Sequence, residues 1–405
     1  MRKFSSFVLI IALLLIVACG DTAPADDAPL DDRPAANGQV EEVSVEEVED
    51  EATNTPEPTE TPQPTDTPEP TNTPQPTNTP APTETPEPTE TPEPPPVGLS
   101  RSNPFGPDEL ASVPNWGLQV IDTIRGEEAW NIVSASNRFN EPPAEGMEYI
   151  LIRVFARSDH DNADEEHSIS RTDFKLTGEN FIRYGRASVV LDDALDASLF
   201  SGGETEGWIA FEVAEGESNL ILIFDELMNF DRDRFRFIAL DEGTSLGVPD
   251  ALFSVEANDA GTSRSAPVAF GETITARDWQ IRVEDVIRGD EAWSLVADAN
   301  SFNDPPEDGF EYIVVSVYAK LIATNDTHES IDRSAFRSTG DSNTLHDRPS
   351  VVGPNPRLDF DLFPGGEVTG LIVVQATVDE AGLMLVFEPL WDFSGQSRRF
   401  LSLEP

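Results

Sequence analysis

A single cysteine, Cys19, occurs in 405 residues, and the chain has only four histidines. One thiol cannot close a disulfide within the chain, and no thiolate metal site can be assembled from the remainder. Basic residues are scarce: 26 Lys and Arg stand against 76 Asp and Glu, a formal net charge of −50. No segment after the first twenty residues is basic, so nucleic acid is not expected as a partner and a bare anionic membrane is a poor one. The acid reads as a soluble, self-repelling surface, and adaptation to high salt would give the same balance. Common catalytic signatures are missing: there is no Gly-x-Ser-x-Gly elbow, no His-Glu-x-x-His and no glycine-rich phosphate loop. Neither His160 nor His167 meets a histidine at the matching place among His328 and His346 later in the chain. The expectation is a protein without enzymatic activity.

Long apolar runs are also rare. The one at Phe7–Val17 follows a positive start, Met1-Arg2-Lys3, and is too short to cross a membrane comfortably. It ends in Ile16-Val17-Ala18-Cys19, which resembles a bacterial lipobox. The resemblance implies that residues 1–18 are a lipoprotein signal peptide and that Cys19 becomes the lipidated N-terminus. Each buried acyl methylene contributes about 0.8 kcal/mol to such an anchor. The expected location is the cell membrane, lipid-anchored, on the extracytoplasmic or cell-surface side.

Residues 19–98 lack the apolar surface that folding requires. The first part is acidic, and the second repeats Thr-x-Thr-Pro-x-Pro, with 16 of the 34 prolines between Pro56 and Pro96. Proline holds such a chain extended, and at ~3.1 Å per residue the repeat could reach on the order of 130 Å. A disordered stalk is expected. Docking motifs for a partner domain are the other reading, and its threonines could accept sugars.

The folded part is written twice. Trp116–Ile150 and Trp279–Ile313 align without a gap at an offset of 163, with 19 of 35 positions identical. Shared residues include Arg125, Glu128, Trp130, Asn137, Phe139, Asn140 and Glu148, answered by Arg288, Glu291, Trp293, Asn300, Phe302, Asn303 and Glu311. Matches continue to Leu199-Phe200-Ser201-Gly202-Gly203-Glu204 against Leu362-Phe363-Pro364-Gly365-Gly366-Glu367. A period this long means two whole domains, expected at 99–246 and 264–405 with a linker at 247–263.

Within each copy the pattern is that of strands. In Tyr149–Ala156, Ile150, Ile152 and Val154 share one face at period two, as do Ile313, Val315 and Val317. Trp208–Ala214 alternates, Leu220–Phe224 is continuously apolar, and Gly202-Gly203 and Gly365-Gly366 suit turns. Ala129, Trp130 and Val133 break the pattern with helical spacing, which predicts a short helix from Gly126 that stops near Asn137. Strands without intervening helices predict an all-β chain: two tandem immunoglobulin-like antiparallel sandwiches, each with a short helical insert. Trp116 and Trp279 are expected in the cores.

The Gly-x-Glu-Tyr-Ile strand entry and the Leu-x-x-Gly-Gly-Glu-x-x-Gly turn resemble a bacterial family, domain of unknown function 4352. The resemblance covers most of 101–240 and 264–403 and implies an immunoglobulin-like sandwich in secreted lipoproteins. It brings no reaction, cofactor or catalytic residue. The second copy departs from the turn pattern at Pro364 and Leu371, where the first has Ser201 and Trp208.

Two places could carry a ligand. Asp159, Asp161, Asp164 and Glu166 alternate hard oxygen ligands as calcium requires, without the glycine of an EF-hand; a solvated acidic hairpin is the plainer reading. Trp130 and Trp293 could offer stacking surfaces to an envelope glycan or protein, with Asn137, Asn140, Asn300 and Asn303 orienting it. The plainer reading there packs the tryptophans on the sandwich, uses the asparagines as caps, and pairs Arg125 with Glu128 or Glu148. The function expected is a surface protein presenting two modules for binding or structural interaction. The alternative is an accessory solute- or cation-binding lipoprotein of an envelope transporter or enzyme.

Overall fold

The computed structural model describes residues 96–226, 235–389 and 397–405. Cys19, the signal segment and the stalk as far as residue 95 lie outside the described residues. Pro96–Gly98 already belong to the folded part: the Gly98 N–H donates to the Asn103 carbonyl at 2.7 Å, and the Gly98 carbonyl accepts from Phe237 at 3.0 Å.

The first copy consists of β1 (Ala111–Val113), β2 (Trp116–Arg125), α1 (Gly126–Ser136), β3 (Met147–Ser158), β4 (His167–Ser170), β5 (Phe174–Thr177), β6 (Asp196–Leu199), β7 (Glu204–Ala214), β8 (Ile221–Phe224) and β9 (Arg236–Ala239). The second repeats the order as β10 (Ile274–Ala276), β11 (Trp279–Arg288), α2 (Gly289–Ala299), β12 (Phe310–Leu321), β13 (Glu329–Asp332), β14 (Phe336–Thr339), β15 (Asp359–Leu362), β16 (Glu367–Thr377), β17 (Met384–Phe387) and β18 (Arg399–Ser402). In each copy a four-stranded antiparallel sheet, β1-β2-β3-β7 or β10-β11-β12-β16, faces a three-stranded one, β5-β8-β9 or β14-β17-β18. A two-stranded ribbon, β4-β6 or β13-β15, closes one side. The described residues are all-β apart from two helices and short helical turns, and no described helix is long and apolar enough to cross a membrane.

Period two decides what lies between the sheets. Ile150, Ile152 and Val154 of β3 meet Ile209, Phe211 and Val213 of β7 and the buried Trp116 in one core. Ile313, Val315 and Val317 form the same core in the second copy with Trp279. The opposite face of β3 is buried too, because α1 lies on it: Ala129 and Val133 pack on Tyr149, Leu151 and Ala210. That second burial explains why β3 reads as a nearly continuous apolar run. Each fully buried aliphatic side chain contributes roughly 1.5–3 kcal/mol.

The insert enters sharply. Gly126 and Gly289 both sit at φ +64, a left-handed conformation that turns the strand into the helix and that side chains disfavour. One turn earlier, both copies carry a register shift, at Val120/Asp122 and Val283/Asp285. The repeated aspartate serves this bulge: Asp122 accepts the N–H of Thr123 at 2.8 Å, and Asp285 that of Val286 at 2.9 Å.

Residues 247–263 are mostly exposed, with Leu252 and Gly261 buried. Asp250–Ser254 forms a short helical turn with Leu252 buried. Just before it, Leu246 joins Ile221, Ile223 and Phe237 of the first copy and Phe363 of the second in a small apolar cluster. The copies therefore share a contact. Arg183 donates its N–H to the Asp361 carbonyl at 2.8 Å, and Phe363 donates to Phe181 at 2.8 Å. Fully buried Arg101 reaches Asp326 at 2.5 Å, with its guanidinium 3.9 Å from the Phe363 ring centre.

Candidate binding surface

The repeated segment after each helix forms a loop held by its own asparagines. Asn137 accepts the N–H of Phe139 at 3.0 Å, and Asn140 donates to the carbonyls of Val133 at 2.7 Å and Val190 at 2.8 Å. The Asn140 oxygen also accepts the Val190 N–H at 3.0 Å. The second copy reproduces this: Asn300 accepts from Phe302, and Asn303 binds Val296 and Val352 through the same atoms. The asparagines were candidates for orienting a ligand; the structure engages them with the loop backbone instead. Their amides terminate the helix and stitch the loop to a strand-free segment fifty residues away, which a short helix with unsatisfied carbonyls needs.

Trp130 and Trp293 are half-buried. Trp130 stacks on Tyr149 with ring centres 6.0 Å apart, and Trp293 lies tilted on Tyr312 at 6.1 Å. Both tyrosine hydroxyls donate at 3.1 Å to carbonyls in the loop, Glu141 and Asp304. Arg125 pairs with Glu148 at 2.5 Å and Arg288 with Glu311 at 2.6 Å, which settles the choice of partner.

What the loop presents is the residue between its asparagines. Phe139 is 74% exposed and Phe302 90% exposed, against fully buried neighbours on the helix. Arg138 lies against Phe139, 4.6 Å from the ring centre. Sequence reasoning counted these rings among the shared residues and gave the binding role to Trp130 and Trp293 instead. The available signal was position: the ring falls past the helix stop, between two loop-forming asparagines and ahead of Pro142-Pro143.

The acidic loop does not gather its carboxylates. Asp159 is held by Arg157 through two bonds, 2.7 and 3.1 Å, which lower its pKa. Asp161, Asp164 and Glu166 are exposed, and Asn162 binds the Asp164 N–H and the Glu165 carboxylate within the loop. Among the described residues no group of three or more His, Cys, Asp or Glu is arranged to hold a metal ion. The calcium expectation at Asp159, Asp161, Asp164 and Glu166 thus finds no preformed cage, because the arginine next to the loop takes the first ligand. Beside the loop the structure stacks His160 on His167, ring centres 3.2 Å apart, with His160 edge-on to Trp116.

Each copy also buries a glutamate that the sequence did not flag. Glu380 accepts from Ser342, Thr377 and His346, the last at 2.8 Å. Burial opposes its charge, but those bonds outweigh it and hold its pKa down at about 2. Serine and histidine both bind the carboxylate and not each other, so the set ties loops together and lacks the order of a nucleophilic triad. Glu217, the counterpart, accepts from Tyr184 at 2.5 Å. Burial raises its pKa, the Tyr184 and Asn180 bonds notwithstanding.

Two small cavities lie among the described residues. One between the copies, lined by Leu99, Phe235, Phe237, Asp326, His328 and Phe363, holds about 100 Å³. Another beside the second helix insert holds about 250 Å³.

No protein-family model and no curated protein matches the sequence. The resemblance to domain of unknown function 4352 therefore rests on the quoted motifs. Among solved structures, the yjhA protein of Bacillus subtilis aligns at 14% identity over 34% of this chain and 99% of its own, TM-score 0.26. MPT63, a secreted protein of Mycobacterium tuberculosis, aligns at 13% identity over 35% and 98%, TM-score 0.23. The ycdA protein of Bacillus subtilis, described as a lipoprotein, aligns at 7% identity over 52% and 73%, TM-score 0.26.

Proposed function

We propose that the chain is a non-enzymatic, lipid-anchored envelope protein whose two sandwich modules bind a protein partner through Phe139 and Phe302. The observation that carries this reading is the repetition: the same ring, exposed in both copies, on the same hydrogen-bonded loop. A stiff loop loses little entropy on binding, and each ring covered by a partner contributes roughly 1.5–3 kcal/mol. Two such contacts on one chain add through effective concentration.

A glycan is the weaker partner, since a sugar needs free hydrogen-bonding groups beside the ring and the neighbouring asparagine amides are engaged. The solute-carrier alternative requires a cleft; a cavity of about 100 Å³ between the copies is smaller than the roughly 300–1,000 Å³ of ligand pockets. Lipidation at Cys19, on the resemblance of Ile16-Val17-Ala18-Cys19 to a lipobox, would hold the modules outside the cytoplasm.

The test is cross-linking in intact cells with the whole chain and with Phe139→Asp/Phe302→Asp. Both rings are exposed, so the variant is expected to keep the wild-type melting temperature and to lose its cross-linked partners. Recovery of the same partners at the same yield would sink the proposal.

A further inference from the structure

The contact between the copies uses one edge of the second copy, and among the described residues the first copy carries the same edge uncovered. In the second, β15 receives the segment Phe181-Ile182-Arg183: Ile182 bridges Leu362, the Asp361 carbonyl accepts from Arg183, and the Phe363 N–H donates to Phe181. Phe363 is 2% exposed as a result, under Arg101 and Phe181. A Cβ at Gly365 would come within 2.8 Å of Pro249, so the turn glycine is needed for this close approach.

The matching edge of the first copy is β6 followed by Phe200. Its outward groups, the Ser198 carbonyl and the Phe200 N–H, have no backbone partner among the described residues. Phe200 is 55% exposed, and a Cβ at Gly202 would meet open space. Asp164 stands three residues before β4, as Asp326 stands three before β13. The acceptor keeps the strand edge, the aromatic, the turn and the acid, with Ser198 in place of Asp361, whose carboxylate pairs with Arg183 in the second copy.

Among the described residues the complementary segment is uncovered at the other end. Phe181 and Asn343 share a left-handed φ, 57° and 60°, and the following segments pair in the same way with the residue facing them. Asn343-Thr344-Leu345 is therefore the second copy's counterpart of Phe181-Ile182-Arg183, and all three residues are exposed, Leu345 at 39%. Arg264, the counterpart of Arg101, lies beside it on Asn343.

From this we propose that a second molecule of this chain docks head to tail, its Asn343–Leu345 segment adding to the β6 edge and covering Phe200. An exposed strand edge is a template for pairing, and a contact between two different surfaces leaves both ends of the pair open to further molecules. Arg264 turns toward Phe200 and Asp164 in that contact. The 2D crowding of anchored chains favours it, and the acidic surface opposes it until salt screens the repulsion.

Sedimentation velocity of the whole chain in detergent, at about 0.15 M salt where screening reaches ~8 Å, tests this. Wild type is expected to form species beyond the dimer that grow with concentration. Phe200→Asp and Leu345→Asp each alter an exposed side chain, and each alone is expected to be monomeric with unchanged melting. Mixed in equal amounts they retain one good surface apiece and are expected to form a dimer and nothing larger. A monomeric wild type, assembly that survives Phe200→Asp, or a mixture that stays monomeric would each overturn the proposal.

Discussion

The two copies have the same strands, the same helix and the same asparagine-stitched loop, yet they differ in how tertiary contacts use equivalent places. Leu199-Phe200 and Leu362-Phe363 are the same pair of residues after the same kind of strand. One phenylalanine is 55% exposed and the other 2%. The flanking residues differ at Ser198 and Ser201 against Asp361 and Pro364, and Asp361 pairs with Arg183 of the segment that covers Phe363; Phe200 has no such neighbour among the described residues. The buried glutamates differ in a second way. Glu380 has several donors and stays ionised with a pKa of about 2, whereas Glu217 has chiefly a tyrosine and is pushed up by burial. The same position is a stabilising anion in one sandwich and a reluctant one in the other.

The largest expected effect breaks the asymmetry at the shared contact. Phe363→Ala removes a buried ring from the cluster joining the copies and should cost about 3–5 kcal/mol, whereas Phe200→Ala should change stability by less than ~0.5 kcal/mol. Calorimetry of Phe363→Ala is expected to show two transitions where wild type shows one. Equal losses in the two variants would mean that the contact does not couple the sandwiches.

Acid sharpens the comparison of the glutamates. Glu380's folded pKa lies below its ordinary 4.5, so its contribution is complete above that value and is lost as pH falls toward 2. From a shift of this size the contribution is on the order of 3 kcal/mol. Glu217 is shifted the other way, so its contribution is present below about 4.5 and is lost as pH rises through its raised folded value. Between pH 6 and pH 3 the second sandwich should lose protection against hydrogen exchange at β17 while the first holds at β8, after correction for intrinsic rates. Glu380→Gln should abolish the pH dependence at β17; persistence there would assign it to another group.

The smallest effects concern what the copies share. Asn140→Ala and Asn303→Ala should each cost roughly 1–3 kcal/mol through unsatisfied backbone groups, and by similar amounts. Denaturant titration of the two variants checks this. A large difference would show that the loops are not equivalent despite matching bonds.

The period-two runs made β3, its repeat and β7 legible in the sequence, because each strand buries alternate side chains in the core, and the continuous apolar run of Leu220–Phe224 did the same for β8, which is buried on both faces. The helix was legible from Ala129, Trp130 and Val133, and its stop from Asn137. The candidate site was less so. Trp130 and Asn140 stood out by being repeated, but repetition marks whatever a fold needs as well as whatever binds. Their role became visible only through partners, Asn140 meeting Val190 fifty residues away, and Glu217 likewise meets Tyr184 thirty-three residues away. No local pattern encodes those meetings. Phe139 was overlooked for the same reason, since exposure belongs to the assembled surface.

Composition and pattern alone determined the absence of a disulfide within the chain, the acidic character, the duplication and the all-β class of the folded part, since each depends on residue type and spacing along the chain. Which aromatic is covered, which carboxylate stays charged and which strand edge is open were decided by the tertiary structure. Burial and hydrogen bonding between distant segments set those properties, and identical residues acquire different ones when their neighbours differ.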